Sequence, residues 1–320
     1  MDVPDATERF SGQVNTVTLG ATADDGGTRG NTVTVGGAKA VMLAGVAENR
    51  GCKPVIAMDV LDAPPDDWPD TLARPFEGVL DDPGAWAKRC VDDFGAGLIC
   101  VKLDGTNPDK GDRSPEQAVE AVKAVLESVP VPIIVWCGGE DEKDNKVMPA
   151  VSQATKGENC ALGVATEDNY KTLTAVCQAD GHHIIALAPI DINKAKQVNI
   201  LISDMEYPLE KIVMFQTTGA LGYGLEYAYS IQERERLAAL GGDRMMAQVV
   251  IADAGFESWR AKEAKGDDAE FGVWGPRDVR GPMWEATTAS VLLMSGVDII
   301  RMRHPDAVTA TRKLIDALWA

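Results

Sequence analysis

The chain has 320 residues, with 49 Asp and Glu against 31 Lys and Arg, for a formal net charge of -18. That balance excludes nucleic-acid binding through phosphates and attachment to an anionic membrane surface, both of which need a basic face. The composition, 45% hydrophobic and 25% charged, is that of a globular protein long enough for one barrel-type domain or two smaller ones.

The start, Met1-Asp2-Val3-Pro4-Asp5, lacks the basic and apolar regions of a secretory signal, and no apolar run approaches the roughly 20 residues of a membrane span. A cytoplasmic location is therefore expected. Cys52, Cys90, Cys100, Cys137, Cys160 and Cys177 are scattered singly, mostly inside apolar runs, with no C-x-x-C pair. Buried free thiols are expected, and no disulfide, zinc site or iron-sulfur cluster on this chain alone.

Residues 12 to 37 hold two alternating segments, Val14 to Leu19 and Asn31 to Val35, joined by a stretch rich in Gly, Asp and Thr. They predict a β-hairpin with one apolar face that packs as a lid or plug. The first 50 residues are taken as this extension and 51–320 as the main domain.

From Lys53 onward short apolar runs alternate with amphipathic ones. Strands are predicted at Val55 to Val60, Leu98 to Leu103, Ile133 to Trp136, Cys160 to Ala165, His183 to Ala188, Ile212 to Phe215, Gln248 to Ala252 and Ile299 to Met302. Helices are predicted at Pro83 to Phe94, Pro115 to Ser128, Asp144 to Lys156, Asp168 to Ala179, Asn193 to Met205, Tyr223 to Leu240, Trp284 to Ser295 and Pro305 to Trp319. Eight strand-then-helix units specify a (β/α)8 TIM barrel in the α/β class. Ser114-Pro115-Glu116, Asp168, Asp191 and Pro305 supply helix-start chemistry. A doubly wound sheet would need a glycine-rich phosphate turn after Val60 or Leu103, and none is present. The long loops 61–82 and 255–281 leave carboxyl strand ends, where barrels keep their ligand sites.

Those strand ends carry Asp59, Lys102, Asp104, Gly138 to Asp141, Thr166, Asp191, Thr217, Thr218, Asp253 and Arg303-His304. Lys102 is a candidate Schiff-base amine, against the plainer reading of a lysine paired with Asp104. His182 and His183 open the fifth strand and His304 follows the eighth. Six residues at about 3.3 Å each separate them by about 20 Å, so no shared metal site is expected. Gly138 and Gly139 offer backbone groups, but the carboxylates that follow would repel a phosphate, which leaves a neutral or amide-bearing ligand or a plain exposed loop. Trp259, Trp274 and Trp284, with Arg260, Arg277 and Arg280, read either as a partner-binding surface or as a local mini-core. There is no G-x-S-x-G and no H-E-x-x-H, and no catalytic residue is assigned.

A set of motifs in one order is also familiar. Gly20-Ala21-Thr22 with Gly26 to Gly30, Pro64 to Pro69, Asp112 to Glu116, Asp168 to Thr172, Pro189 to Asn193, Thr217 to Gly224, Glu257 to Glu263 and Met302 to Pro305 resemble the small (delta) subunit of the corrinoid iron-sulfur protein of the acetyl-CoA decarbonylase/synthase (Wood-Ljungdahl) system. The resemblance runs from about residue 10 to the end of the chain.

It implies a barrel subunit of a heterodimer whose large subunit carries the 4Fe-4S cluster and the corrinoid domain, with the cobamide between the two. The cobalt would take a methyl group from methyltetrahydrofolate through a separate methyltransferase and pass it to CO dehydrogenase/acetyl-CoA synthase. Where the family can have Asp-Pro before the two threonines, this chain has Phe215-Gln216, so an acid is missing there and Gln216 suggests a neutral hydrogen-bonding role.

Candidate corrinoid contacts, inferred from strand-end position, are Gly138, Gly139, Asp191, Asn193, Thr217, Thr218, Gly219 and Tyr223. Two other expectations are a pterin-dependent methyltransferase, with Asp59, Asp104 or Asp253 holding the pterin ring, and a Lys102 aldolase.

Overall fold

In the computed structural model, which describes residues 10–41 and 49–320, the predicted strand runs close into one parallel barrel. Its strands are β3 (Val55–Leu61), β4 (Ile99–Lys102), β5 (Ile133–Trp136), β6 (Ala161–Ala165), β7 (His183–Ala188), β8 (Ile212–Gln216), β9 (Val249–Asp253) and β10 (Ile299–Met302). They pair in chain order, and β10 returns to β3 with Ile299 opposite Val55. The acidic start Met1-Asp2-Val3-Pro4-Asp5 lies outside the described residues.

Strands buried on both faces read as near-continuous apolar runs, which is why they stand out in the sequence. Alternation sends Cys100, Ile134, Trp136, Ile185, Val213 and Ile251 into the barrel and Val101, Val135, Ile184, Met214 and Ile300 outward under the helices.

The helices that cover the barrel are α2 (Pro83–Asp92), α3 (Pro115–Ser128), α4 (Asp141–Ala154), α5 (Tyr170–Asp180), α6 (Ile192–Ser203), α7 (Leu225–Leu240), α11 (Arg277–Met294) and α12 (Pro305–Trp319). Ser114 caps α3 in a reciprocal capping box with Gln117, and Asp191 caps α6. Asp168 does not begin α5. That helix starts at Tyr170 behind Asn169, whose side-chain oxygen accepts the Thr166 N–H instead. α11 starts seven residues before the predicted Trp284, because Gly281 and Pro282 disguise a helix whose glycine lets it close on Trp259: a Cβ there would lie 2.4 Å from the indole. The loops 61–82 and 255–281 carry short helices of their own, α1 (Asp70–Ala73) in the first and, in the second, α8 (Ala254–Ser258) at its start followed by α9 (Lys262–Lys265) and α10 (Asp268–Phe271).

The N-terminal hairpin, β1 (Thr16–Leu19) and β2 (Val33–Gly36), is a plug. Val17, Leu19 and Val35 bury in the same core cluster as the barrel interior, while Thr18 and Thr34 share a hydroxyl hydrogen bond at 2.9 Å on the outer face. Asn159 and His183, at the amino ends of β6 and β7, hold the Thr18 carbonyl at 2.8 and 3.1 Å. Arg29 is fastened by Glu158 at 2.7 Å and by the Val129 carbonyl at 2.7 Å. The hairpin thus seals the amino end of the barrel, and the carboxyl end is left as the mouth.

Candidate functional site at the barrel mouth

The upper layer of the barrel interior holds charge. Arg301 of β10 is fully buried and places its guanidinium over the face of Trp136, with Cζ 3.9 Å from the ring centroid. Its Nε and Nη2 form a fork on the two oxygens of Asp59, each at 3.0 Å, and its Nη1 donates to Asp253 at 2.7 Å. Arg303 adds a bond to Asp59 at 3.2 Å, so two guanidinium groups balance two carboxylates. Burial alone would lower the pKa of Arg301, but Asp253 and Asp59 outweigh it and hold the group charged. Trp136 in turn meets Phe215 edge-on at 4.7 Å, which closes the centre of the mouth from below.

Around this floor the rim has two halves. On one, Lys102 pairs with Asp104 at 3.2 Å, Lys110 reaches the same carboxylate at 2.5 Å, and Arg260, Arg303 and Lys102 lie over Phe256. Burial would raise the Asp104 pKa, yet Lys102 and Lys110 pull it below the usual range. Lys102 is therefore the paired lysine of the plainer expectation. On the other half, Leu187 and Phe215 sit side by side on β7 and β8, half-buried, next to exposed Pro189, Ile190 and Thr217. This half is a shallow apolar shelf.

The strand-end positions expected from sequence are distributed as follows. Gly139, Asn193, Thr217 and Tyr223 are exposed, although the Tyr223 hydroxyl already donates to Glu263 at 2.9 Å. The N–H groups of Gly138 and Gly139 both donate to Asp144 at 3.1 Å, and burial raises that carboxyl to about 6 against the pull of the two amides. Asp191 spends its carboxylate on the Asn193 and Lys194 N–H groups. Thr218 is buried, with its hydroxyl bridging the Gln216 carbonyl and the Asp253 N–H. Gly219 is packed so closely that a Cβ would meet the Gly224 carbonyl at 2.4 Å.

Gln216 shares the outward parity of Ile212 and Met214, and its buried carboxamide makes no hydrogen bond among the described residues. The acid of the family pair would stand at Phe215, which faces the barrel interior against Trp136, whereas Gln216 points to the helix layer and not to the mouth, so the hydrogen-bonding role expected for it toward a ligand there is not met.

His182 and His183 lie at the amino end and His304 at the mouth, and no group of metal-binding side chains occurs among the described residues. Trp259 donates to Glu285 at 2.7 Å and stacks on His304, and Trp284 donates to the Leu221 carbonyl at 3.0 Å. Arg280 is buried among loop carbonyls and Asp268. These form the mini-core of the two expectations, leaving Trp274 exposed at its edge.

Sequence reasoning missed Arg301. The available signal was one cation in an apolar strand, Ile299-Ile300-Arg301-Met302, which demands a buried carboxylate partner.

The family model described as CO dehydrogenase/acetyl-CoA synthase delta subunit matches residues 16–302. The acetyl-CoA decarbonylase/synthase complex subunit delta of Archaeoglobus fulgidus is 37% identical over 97% of this chain and 70% of its own length. That of Methanopyrus kandleri is 35% identical over 95% of this chain and 75% of its own. Among solved structures, a dihydropteroate synthase from Coxiella burnetii in complex with pteroic acid superposes over 95% of this chain and 97% of its own, with a TM-score of 0.56 and 12% identity. The dihydropteroate synthase of Xanthomonas albilineans gives a TM-score of 0.54 at 13% identity over 86% of this chain and 97% of its own. At such identities these structures share the fold alone.

Proposed function

Because this chain belongs to the CO dehydrogenase/acetyl-CoA synthase delta-subunit family, we propose that it is the non-catalytic small subunit of a corrinoid iron-sulfur methyl carrier, whose barrel mouth covers one face of a cobamide held by a larger partner. The observation that carries this reading is the form of the mouth. It is closed beneath by Trp136, Phe215 and Arg301 and presents a shallow apolar shelf of Leu187, Pro189, Ile190 and Phe215. A shelf suits a broad, flat, largely apolar ring better than a small substrate that must be enclosed. Thr217, Asn193 and Gly139 at the rim offer neutral donors and acceptors for peripheral amides, with Gly138, Asp191, Thr218 and Gly219 behind them as the groups that hold the rim in place, and Tyr223 adds an exposed ring whose hydroxyl is tied to Glu263.

The corrinoid would supply the methyl-transfer chemistry at its cobalt, and this chain would bind, orient and exclude water. The partner would be the large subunit with the 4Fe-4S cluster, and the complex would meet methyltetrahydrofolate methyltransferase on one side and CO dehydrogenase/acetyl-CoA synthase on the other.

A pterin-dependent methyltransferase is the less favoured reading, since Asp59 and Asp253 are bonded to Arg301 and Asp104 to Lys102 and Lys110. For the same reason a Lys102 aldolase lacks the unpaired, desolvated amine it needs.

The test is co-expression with the large subunit of a delta-family complex and measurement of cobalt per complex. Ile190→Asp and Thr217→Val should lower cobalt retention while the melting temperature of this chain holds. Unchanged cobalt in both would overturn the placement. Steady demethylation of methyltetrahydrofolate by this chain alone with free cobalamin would overturn the subunit reading in favour of the methyltransferase.

A further inference from the structure

We propose that the barrel interior contains a preformed seat for a planar guanidinium-class cation, and that the chain fills this seat with its own Arg301. The inference concerns the interior beneath the mouth and stands whether or not a corrinoid covers that mouth.

Three features define the seat. The first is a carboxylate, Asp59, fully buried and engaged by a two-pronged fork at 3.0 Å on both oxygens. The second is another carboxylate, Asp253, which accepts from Nη1, the nitrogen that the fork leaves free, at 2.7 Å and is held by the Phe256 N–H on its other oxygen. The third is the flat face of Trp136 at 3.9 Å. In-plane acceptors on adjacent edges with an aromatic face against the ring define recognition of a flat, delocalised cation, and a lysine ammonium cannot satisfy that geometry.

The side chain that fills the seat comes from β10, while the acids come from β3 and β9 and the aromatic from β5, so three other strands are organised around one guanidinium. An ordinary structural ion pair needs a single partner. Here each of the three nitrogens donates to a carboxylate, because a buried charge left without partners is costly.

The consequence is an exclusion. With Arg301 in place, no amidine, guanidine or aminopyrimidine edge can reach Asp59 or Asp253, so ligands of this chain are confined to the rim. The barrel keeps a ligand-shaped centre and closes it with a tethered mimic of a ligand.

The test is Arg301→Ala in the full chain, with guanidinium chloride as probe. The variant should melt below the wild type. At about 10 mM, guanidinium should raise its midpoint saturably by about 2–3 °C, whereas equal concentrations of sodium chloride or urea should not. The wild type should show no such rise. A guanidinium response of the variant no larger than that to sodium chloride overturns the proposal.

If Arg301→Ala does not accumulate as folded protein, nitrogen-15 NMR of the wild-type arginines decides instead. One guanidinium should show hindered rotation, slow hydrogen exchange and a ring-current shift that disappears in Trp136→Leu. The absence of any such guanidinium overturns the proposal equally.

Discussion

Glu235 is fully buried on α7 with neither carboxylate oxygen hydrogen-bonded among the described residues, and burial raises its pKa to about 8, opposed by Arg236. A carboxyl whose folded pKa lies above its unfolded value stabilises the fold fully below the unfolded value near 4.5, and that contribution is lost as pH rises through about 8. The loss is at most about 1.4 kcal/mol per pH unit across that window. Glu235→Gln should therefore flatten the fall in urea midpoint between pH 5 and 8 (about the span of the shift) and leave the variant the more stable protein at the upper end. Glu285, raised to about 7 by burial against the N–H groups of Arg303, Trp259 and His304, will leave a residual slope of the same sign.

Gln216 offers a second test at this scale. Its carboxamide is buried without partners, so Gln216→Met should stabilise the chain by about 1 kcal/mol, read as a shift in urea midpoint with unchanged slope. These side chains show the limit of what the sequence displays. A glutamine at a strand end reads as a polar group for a ligand, and only the register of β8 reveals that it faces the helix layer.

At the scale of elements, the strands and most helices were legible because their signals are local: apolar runs for the barrel, and Ser114 and Asp191 as caps. Ser114→Ala should cost about 1 kcal/mol, measured by thermal melting, because both halves of its capping box are formed. The α11 start was hidden because Gly281 and Pro282 argue against a helix locally, while its packing on Trp259 is a tertiary fact. The hairpin was legible as a plug or lid, but which end of the barrel it closes depends on the bonds from Asn159 and His183 to Thr18. Leu19→Ala should cost about 2–5 kcal/mol, since it opens a void in the core shared by hairpin and barrel. Arg29→Ala should cost a comparable amount by leaving Glu158 nearly buried and without its cation. Urea unfolding of both variants checks this, and two losses below about 1 kcal/mol would mean that the hairpin is an ornament on a self-sufficient barrel.

For the whole molecule, the (β/α)8 architecture followed from the alternation of strand and helix patterns, whereas the closed floor of the mouth did not. Asp59 and Arg301 are 242 positions apart, and no local spacing brings them together. The interior network is charge-balanced, so the formal excess of -18 resides elsewhere, chiefly on the outer surface. Raising sodium chloride from about 10 to about 150 mM should increase the melting temperature by screening that self-repulsion. A melting temperature that falls over this range would mean that surface ion pairs, such as Lys88 with Asp92, matter more than net charge.

The plug at the amino end also sets a schedule for biosynthesis. The hairpin is translated early, yet Ala247, which binds Asn15, and Val249, which lies against Gly36, emerge roughly 200 residues later, about 10 to 40 s at common ribosome speeds. Through that interval a two-stranded ribbon with an apolar face and open edges has no barrel to enter, and such a ribbon is a template for pairing with neighbouring nascent chains. Defects that delay β9 and β10 should therefore appear first as inclusion bodies and greater dependence on chaperones during expression, before any loss in the finished protein.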